Sequence, residues 1–278
     1  MSGPLPGSPE WLRFMTASKI SAVVGTSPYE SRFSLWHRMH GDIGPQGVNP
    51  QMTVGNVLEP ALIAWFAAQH PETEVLPGAW VVHESVEWAA ATPDGFAGDD
   101  LLEVKTARDA WEWSDESVPA GYRDQCQWQM WVTGARVVHV AALVAMELVE
   151  RTVAYDAERV EFLAAAAEQF MASLAANQAP DIDGSTFTYQ AIREMHPEID
   201  DVEVEIPDDL AREWLEARHW ATTQADQEAA LRNQIADLMG TARRATWQGR
   251  PIFNRQARGN GTPYLVVARN LPPIGVAA

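Results

Sequence analysis

Apolar residues recur every three or four positions over several stretches of the chain, which is the pattern of helices packed on one face. Proline and glycine mark the ends of some of these stretches, as at Pro119 and Gly134. The pattern predicts short helices within residues 11–39 and longer helices over residues 54–69, 119–133, 158–177 and 207–240.

Shorter apolar runs between the helices predict strands. The first three runs are separated by turn residues at 93–95 and 98–100, and they predict a three-stranded meander. A further strand pair is predicted around a turn at residues 258–261. The predicted strands cover residues 80–82, 88–91, 101–106, 137–144 and 151–155, with the last pair inside residues 245–268.

The order of these elements predicts an α/β protein with a mixed central sheet flanked by helices, followed by a C-terminal module of one helix and a β-hairpin. Residues 1–10 are rich in proline, glycine and serine and predict a flexible leader. Residues 11–184 are long enough for one catalytic domain. The C-terminal module takes residues 200–278, and its role is open.

Composition narrows the classes of protein that fit this chain. The net charge of −18 argues against a protein that coats nucleic acid with its whole surface, although a local basic groove is compatible with it. The single cysteine, Cys126, excludes an internal disulfide and a multi-thiolate metal site. No apolar run is long enough to cross a bilayer and no signal peptide is evident, so we expect a cytoplasmic protein without membrane association.

Two short motifs carry candidate chemistry, Pro93-Asp94-Gly95 and the following Glu103-Val104-Lys105. Alternate residues of a strand share a face, so Glu103 and Lys105 point the same way. A hairpin could bring the Asp94 carboxylate beside Glu103, and two such carboxylates are tolerated when a divalent cation lies between them. Magnesium suits these oxygen ligands, and Lys105 could orient or deprotonate an attacking water or stabilise charge on a phosphate.

A simpler interpretation of the same residues stays open at this point. An Asp-Gly turn is common, and an ion pair between Glu103 and Lys105 would explain their spacing on a strand. Short motif matches of this kind have a high false-positive rate.

Further motifs continue in order along residues 11–155: Arg13, Thr16-Ala17-Ser18, Gly25-Thr26-Ser27-Pro28-Tyr29, Leu35-Trp36, Gly55, Leu58-Glu59-Pro60, Thr92 to Gly95, Glu103 to Thr106, Tyr122, Gln125, Gln127 and Val132-Thr133-Gly134. In this order they resemble the lambda exonuclease and YqaJ-type viral recombinase family of phages. That family is a branch of the PD-(D/E)XK nuclease superfamily, so the resemblance implies a restriction-endonuclease-like core. It also implies a role for each matched residue.

The resemblance implies that the carboxylates of Glu59, Asp94 and Glu103 belong to a metal site, with the Val104 backbone carbonyl as a further ligand. Lys105 would be the catalytic lysine. The expected cofactor is Mg²⁺, one or two ions, for which Mn²⁺ should substitute. For Glu59 the competing interpretation is a solvated helix charge, although its apolar surroundings favour a partner for the carboxylate.

Three more residues receive roles by the same resemblance. Gln125 matches the helix glutamine that supports the lysine or the attacking water, whereas Gln127 should face elsewhere. Arg13 and Ser18 match positions that hold a DNA 5′ phosphate, and Lys19 is the alternative to Arg13. Ser18 could also be only a residue at a helix N-terminus, which is itself compatible with phosphate binding.

The implied activity is 5′→3′ exonucleolytic digestion of one strand of linear double-stranded DNA. This digestion would leave 3′ single-stranded tails for a single-strand annealing protein. The protein itself would be a homo-oligomer, a ring trimer by resemblance, in the cytoplasm, which is the host cytoplasm if the protein is phage-encoded. One rival is a nuclease of other polarity or an endonuclease. Another is a non-catalytic DNA-binding recombination adaptor, with residues 208–268 as its interaction element or simply as a solvated support for an oligomer.

Overall fold

A computed structural model describes residues 3–47, 49–108, 110, 113 and 117–272. It divides into two compact units, Met1–Ile199 and Asp200–Ala278. The outermost residues of the predicted leader and of the predicted C-terminal module, 1–2 and 273–278, lie outside the described residues.

The first unit contains six α-helices among its described residues, and polar or Pro/Gly residues define several of their ends. Asn49 caps one N-terminus by accepting from the Met52 N–H, and Gly134 ends another in the left-handed conformation, at φ 83°. A 3-10 helix at Trp11–Arg13 precedes α1 Ala17–Val23, α2 Arg32–His40, α3 Pro50–Gln69, α4 Ala120–Thr133, α5 Ala157–Ala175 and α6 Thr186–Met195.

The strands of this unit form two sheets. A three-stranded sheet contains β1 Met15–Thr16, β3 Val81–His83 and β4 Val86–Ala91, in the order β1-β4-β3. A five-stranded sheet contains β2 Val75–Pro77, β5 Gly95–Ala97, β6 Asp100–Ala107, β7 Val137–Val144 and β8 Glu147–Ala154, in the order β2-β5-β6-β7-β8. Only β6 and β7 of the larger sheet pair in parallel, with α4 in their connection, so the predicted mixed sheet flanked by helices is confirmed.

The predicted three-stranded meander is wrong. β4 belongs to the smaller sheet and β6 to the larger one, and the short strand β5 lies between them in sequence. β5 pairs with β2 on one side and with β6 on the other. Thr92 and Pro93 carry the chain from one sheet to the next, and proline there cannot donate a ladder hydrogen bond.

The core lies on both faces of the larger sheet. Leu101 of β6 packs with Cys126 and Met130 of α4, whereas the neighbouring Leu102 packs with Phe66 of α3. This alternation follows from the two-residue period of a strand. Side chains in step with Leu101 therefore face α4.

The second unit consists of α7 Asp208–Met239 and an antiparallel sheet of β9 Arg244–Trp247, β10 Arg250–Gln256 and β11 Tyr264–Val267. The sequence predicted two strands here and missed the reversal at Gln248-Gly249. Both residues have positive φ, 50° and 76°, as a tight hairpin turn requires. No helix among the residues described in either unit is long and apolar enough to cross a membrane.

Candidate active site

The candidate site begins with the hairpin of β5 and β6. Gly95 lies opposite Leu102 in this antiparallel pair, so the register carries Asp94 to a position beside Glu103. The Val104 backbone N–H donates to the Asp94 carboxylate at 2.7 Å. The two carboxylates that the sequence predicted to meet thus lie together at the start of the hairpin.

Glu103 is almost fully buried, and both of its carboxylate oxygens accept hydrogen bonds. The Lys105 ammonium donates to Oε1, as does Nε2 of Gln125 at 2.5 Å. Nε2 of Gln129 donates to Oε2 at 2.6 Å. Glu103 is therefore held in one orientation by three side chains.

Helix α4 delivers both glutamines because residues four apart share a helix face. Gln127 lies on another face of α4, as predicted. There it donates to the Ala154 carbonyl and accepts from the Asp156 N–H. The spacing of four places Gln125 and Gln129 on one helix face, but the sequence prediction chose Gln125 alone, so Gln129 is an additional site residue.

An ion pair of the buried Asp124 with the partly exposed Arg159 fixes α4 next to these glutamines. Arg159 of α5 donates to both oxygens of Asp124, at 2.7 and 2.8 Å, and the Thr26 hydroxyl donates to the same carboxylate at 2.6 Å. Asp124 precedes Gln125 directly, so this bidentate contact sets the position of the site glutamines.

The electrostatics of the site follow from burial and from the close carboxylates. Burial and the neighbouring Glu103 charge raise the pKa of Asp94 to about 8, against the opposing effect of Lys105. Burial lowers the pKa of Lys105, but the Glu103 and Asp94 carboxylates outweigh it, so this pKa lies above its ordinary value. Lys105 therefore acts as the counter-charge of the pair.

Tyr122 lies one helical turn before Gln125 and adds an aromatic surface to the site. The Lys105 ammonium is 5.1 Å from the centre of its ring. The Tyr122 hydroxyl is 3.2 Å from that of Tyr29, which is exposed.

Glu59 lies near the carboxylate pair on the half-buried side of α3, where its charge also contributes to the raised pKa of Asp94. Among the described residues, no group of three histidine, cysteine, aspartate or glutamate side chains has the arrangement of a metal site. The structure thus brings Asp94 and Glu103 together as a pair, and Glu59 is a neighbour of that pair.

The donor chemistry of the pair fits a hard divalent cation. A carboxylate offers about four lone-pair sites, and the three donors to Glu103 leave room for one more contact at Oε2. The Asp94 carboxylate accepts from the Val104 N–H and keeps further lone-pair sites. Asp94 and Glu103 are thus the residues that would hold the metal.

Gly78 positions the turn that carries Asp94. Its N–H donates to the Asp94 backbone carbonyl at 3.2 Å. A β-carbon at this position would lie 1.8 Å from the Pro93 carbonyl oxygen, so only glycine permits this approach. Sequence reasoning missed Gly78 because nothing in the local pattern distinguishes it from an ordinary loop glycine.

The candidate phosphate residues lie near the start of the described chain. Arg13 ends the 3-10 helix and is exposed, and Ser18 is exposed in the first turn of α1 with its hydroxyl 3.2 Å from that of Thr16. Lys19 is buried and donates to the Trp11 and Phe14 carbonyls at 2.9 and 2.6 Å. Because its ammonium is committed to the fold, Arg13 is the better candidate of the two.

Burial also lowers the pKa of Lys19 to about 7, although the Glu30 carboxylate opposes this shift. The lysine is thus held by neutral carbonyls and by the ring of Trp11, whose centre is 3.6 Å from Nζ. This is a structural role for Lys19.

Comparison with known proteins adds a family and a fold. Residues 10–136, which include the carboxylate pair, Lys105 and Gln125, match the model of the YqaJ-like viral recombinase domain. The chain matches no curated protein sequence. The resemblance to YqaJ-type recombinases is therefore confirmed over this segment by the domain model.

Among solved structures, an alkaline exonuclease from Laribacter hongkongensis, LHK-Exo, is 21% identical, with 61% of this chain and 94% of that chain covered and a TM-score of 0.49. LHK-Exo in complex with dAMP gives 20% identity, coverage of 61% and 91%, and a TM-score of 0.50. A phage related exonuclease from Haemophilus somnus 129PT is 11% identical, with 59% of this chain and 96% of that chain covered and a TM-score of 0.46. The match to the dAMP complex indicates a common fold.

Proposed function

We propose, because residues 10–136 match the model of the YqaJ-like viral recombinase domain, that the protein is a divalent-metal-dependent deoxyribonuclease. The observation that carries the proposal is the buried Glu103 beside Asp94, held by Lys105 and two glutamines. We further propose that it digests linear double-stranded DNA from its 5′ ends. The 5′ ends and the duplex substrate rest on the resemblance of the motifs, and the fold shared with the exonuclease LHK-Exo is compatible with them.

The cofactor proposed for this site is Mg²⁺, with Mn²⁺ as a substitute, held by Asp94 and Glu103 with support from the Val104 carbonyl and Glu59. A divalent cation here would neutralise charge on the scissile phosphate and make the attacking water more acidic. It would also remove the repulsion between the carboxylates, whose cost is expressed in the raised pKa of Asp94.

The state of Lys105 bears on its role. With a pKa above the ordinary lysine value, its side chain is an ammonium at neutral pH. An ammonium cannot accept the proton of a water, so its charge favours two of the three candidate roles. Lys105 would hold the attacking water by hydrogen bonding and stabilise negative charge that develops on the phosphate oxygens.

The glutamines act on Glu103. Gln125 and Gln129 donate to different oxygens of its carboxylate, so the carboxylate plane stays fixed while Lys105 turns toward substrate. Preorganised groups of this kind avoid reorganisation during the reaction. Gln125 shares Oε1 with Lys105 and can hold that oxygen when the lysine leaves it.

Arg13 and Ser18 would bind the 5′ phosphate of the digested strand, and the 3′ tails would pass to a single-strand annealing protein. The ring trimer and the cytoplasmic location belong to the same proposal, which rests on family resemblance. A nuclease of other polarity or an endonuclease would use the same Glu59, Asp94, Glu103 and Lys105 for bond cleavage. Labelled substrates must therefore separate these activities.

The test is digestion of linear duplex DNA carrying a 5′ or a 3′ label, in Mg²⁺, with covalently closed circles as a second substrate. We expect mononucleotide release from 5′ ends and intact circles. Glu103→Gln and Lys105→Ala should each lower the rate by roughly 1,000-fold or more, because each removes a group that acts on the reacting phosphate.

Glu147→Gln is the matched control, since Glu147 is an exposed carboxylate on β8 of the same sheet. Its rate should equal that of the native protein. Full activity in a folded Lys105→Ala protein would overturn the catalytic assignment, release from 3′ ends would overturn the polarity, and nicking of circles would make the protein an endonuclease.

A further inference from the structure

Helix α7 of the second unit exposes far more apolar surface than an isolated helix tolerates. It spans Asp208–Met239, 32 residues, and buries only Met239. Leu210, Trp214 and Leu238 are 55%, 63% and 87% exposed. Helices in proteins gain most of their stability from packing an apolar face, so a face this large calls for a covering surface.

Four of the six large exposed apolar residues of α7 follow a coiled-coil period, namely Leu210, Trp214, Leu231 and Leu238, whereas Leu215 and Trp220 lie outside it. From Leu210 to Leu238, positions alternate by four and by three residues, and seven of these nine positions are alanine, leucine, isoleucine or tryptophan. Gln224 and Glu228 occupy the two polar positions, near the middle. A 3.5-residue period sustained over four heptads is the pattern of helices that pair along a seam. These nine positions are named the α7 seam.

The sheet of the second unit packs beside the α7 seam and leaves most of it exposed, with Ile235 half-buried. Arg232, Asn233 and Ala236 of α7 line a groove with Tyr264 and Leu265 of the sheet. None of these three helix positions belongs to the seam. Leu231 in the seam is 51% exposed and Leu238 is 87% exposed.

We propose that the α7 seam binds the α7 seam of a second copy of this chain, with the two helices antiparallel. Seam positions then meet in layers about a twofold axis near residue 226. Ala217 meets Ile235 of the second copy, and Ala221 meets Leu231. Each small side chain of the N-terminal half faces a large one of the C-terminal half, which fills space evenly.

The polar positions decide the direction of the helices. A parallel pair would place Glu228 opposite its own copy inside the seam, whereas the antiparallel pair places it opposite Gln224, an amide that can donate to it. The antiparallel pair brings Arg218 near Arg232 of the second copy, both exposed. Repulsion between exposed charges is small compared with two carboxylates facing each other in a seam, so the antiparallel pair is favoured.

The first test measures particle mass by light scattering or sedimentation at micromolar concentration, with the full chain. Leu231→Glu should halve the particle mass, because two single copies, or two of the proposed ring trimers, would separate. It should raise the dissociation constant of the pair roughly 100-fold, because it places a charge in the seam. Leu215→Glu is the matched control, since Leu215 is 60% exposed on α7 but outside the seam. Its mass should stay that of the native chain.

Circular dichroism of both variants checks that the helix persists. Equal masses for the native chain and a helical Leu231→Glu variant would overturn the proposal. So would loss of the pair in Leu215→Glu alone.

The second test identifies the direction by disulfide trapping. Ala217 and Ile235 of one helix lie roughly 27 Å apart, so cysteines at both positions can bond only between copies. The Ala217→Cys, Ile235→Cys double variant should form a covalent dimer on oxidation, and Ala217→Cys alone should not. Native Cys126 is buried and does not compete. Efficient trapping of Ala217→Cys alone would indicate a parallel pair and overturn the antiparallel arrangement.

Discussion

Glu103 is the central residue of the candidate site in the first unit. A carboxylate in the interior is tolerated only when hydrogen bonds replace its hydration, and three side chains provide them here. Asp94 has fewer such partners and carries the cost of the pair as a raised pKa. The two carboxylates therefore differ in role although they lie side by side.

The raised pKa of Asp94 predicts how the stability of the metal-free protein depends on pH. Its value of about 8 exceeds the ordinary 3.8, so the folded protein keeps a proton that the unfolded chain has lost. This contribution is complete below about pH 4 and is lost as pH rises toward 8. Asp94→Asn removes the titration and keeps an acceptor for the Val104 N–H.

In chelator, Asp94→Asn should therefore be more stable than the native protein at pH 8.5, by about 1 kcal/mol or more, a gain of a few degrees in Tm. At pH 5 the gain should shrink. Asp99→Asn, an exposed aspartate in the next turn, is the control and should leave the pH profile unchanged. Parallel Tm profiles for Asp94→Asn and the native protein would contradict the raised pKa.

Gln129 is expected to matter through Glu103. Gln129→Leu removes the donor to Oε2, so the carboxylate loses orientation, and we expect the Mg²⁺ affinity or rate to fall about 10- to 100-fold. A Mg²⁺ titration of initial rates measures this. Gln127 is also buried, but it bonds to the backbone outside the site. Gln127→Leu should therefore lower Tm and leave the Mg²⁺ dependence of the rate unchanged.

At the scale of elements, the site depends on the contact between β6 and α4 and on the turn before β5. The strand period places Glu103 and Lys105 toward α4, and the helix period places Gln125 and Gln129 toward the strand. The Arg159 contact with Asp124 sets the position of the helix. Gly78 then determines where Asp94 lies.

Gly78→Ala should displace Asp94 and lower the nuclease rate, although Gly78 itself has no side chain in the site. The added β-carbon would lie 1.8 Å from the Pro93 carbonyl oxygen, so the turn must move and Asp94 with it. We expect a loss of about 2 kcal/mol or more in unfolding free energy and a large loss of nuclease rate. Gly184→Ala, where a β-carbon meets nothing within 4 Å, is the control for both measurements.

The sequence predicted these elements unequally. Helices α4, α5 and α7 were predicted within two residues of their observed ends, because long amphipathic periods and Pro/Gly caps are local signals. Helix α3 begins four residues before its predicted start, and α6 was not predicted. The division of β4 and β6 between two sheets was not predicted, because tertiary contacts decide which strands pair. The Gln248-Gly249 reversal was missed because glutamine rarely adopts positive φ.

The site shows the same division. Glu103, Lys105 and Asp94 could be placed together by strand geometry and by resemblance, and Gln125 by resemblance to a family motif. Gly78 could not, because its importance lies in one interatomic approach that depends on the folded chain. Gln129 could have been found from its spacing of four from Gln125, although its hydrogen bond to Glu103 is visible only in the folded chain.

At the scale of the whole molecule, the chain consists of two units with separate interiors. The segment 196–207 between α6 and α7 is exposed and lacks regular structure beyond a bend, and it contains Glu198, Asp200, Asp201, Glu203 and Glu205. These acidic residues contribute to the net charge of −18. They are far in sequence from the carboxylate pair, Asp94 and Glu103.

A fragment of residues 1–199 should fold and cleave DNA by itself. Because the first unit contains its own core and the complete carboxylate pair, we expect a Tm within a few degrees of the full chain and a rate within about threefold. A glutamate-specific protease should cut the full chain first at Glu198, Glu203 or Glu205. A folded fragment without activity would indicate that the second unit takes part in cleavage.

The contact between Lys105 and Glu103 has a consequence for handling the protein. Since the ammonium already balances the buried carboxylate, the fold does not depend on an added ion for its integrity. Chelators should therefore silence the enzyme without denaturing it, and activity should return fully on adding Mg²⁺. On the proposed metal dependence, we expect that the chain can be stored and loaded onto DNA in an inactive form, with digestion started by adding Mg²⁺.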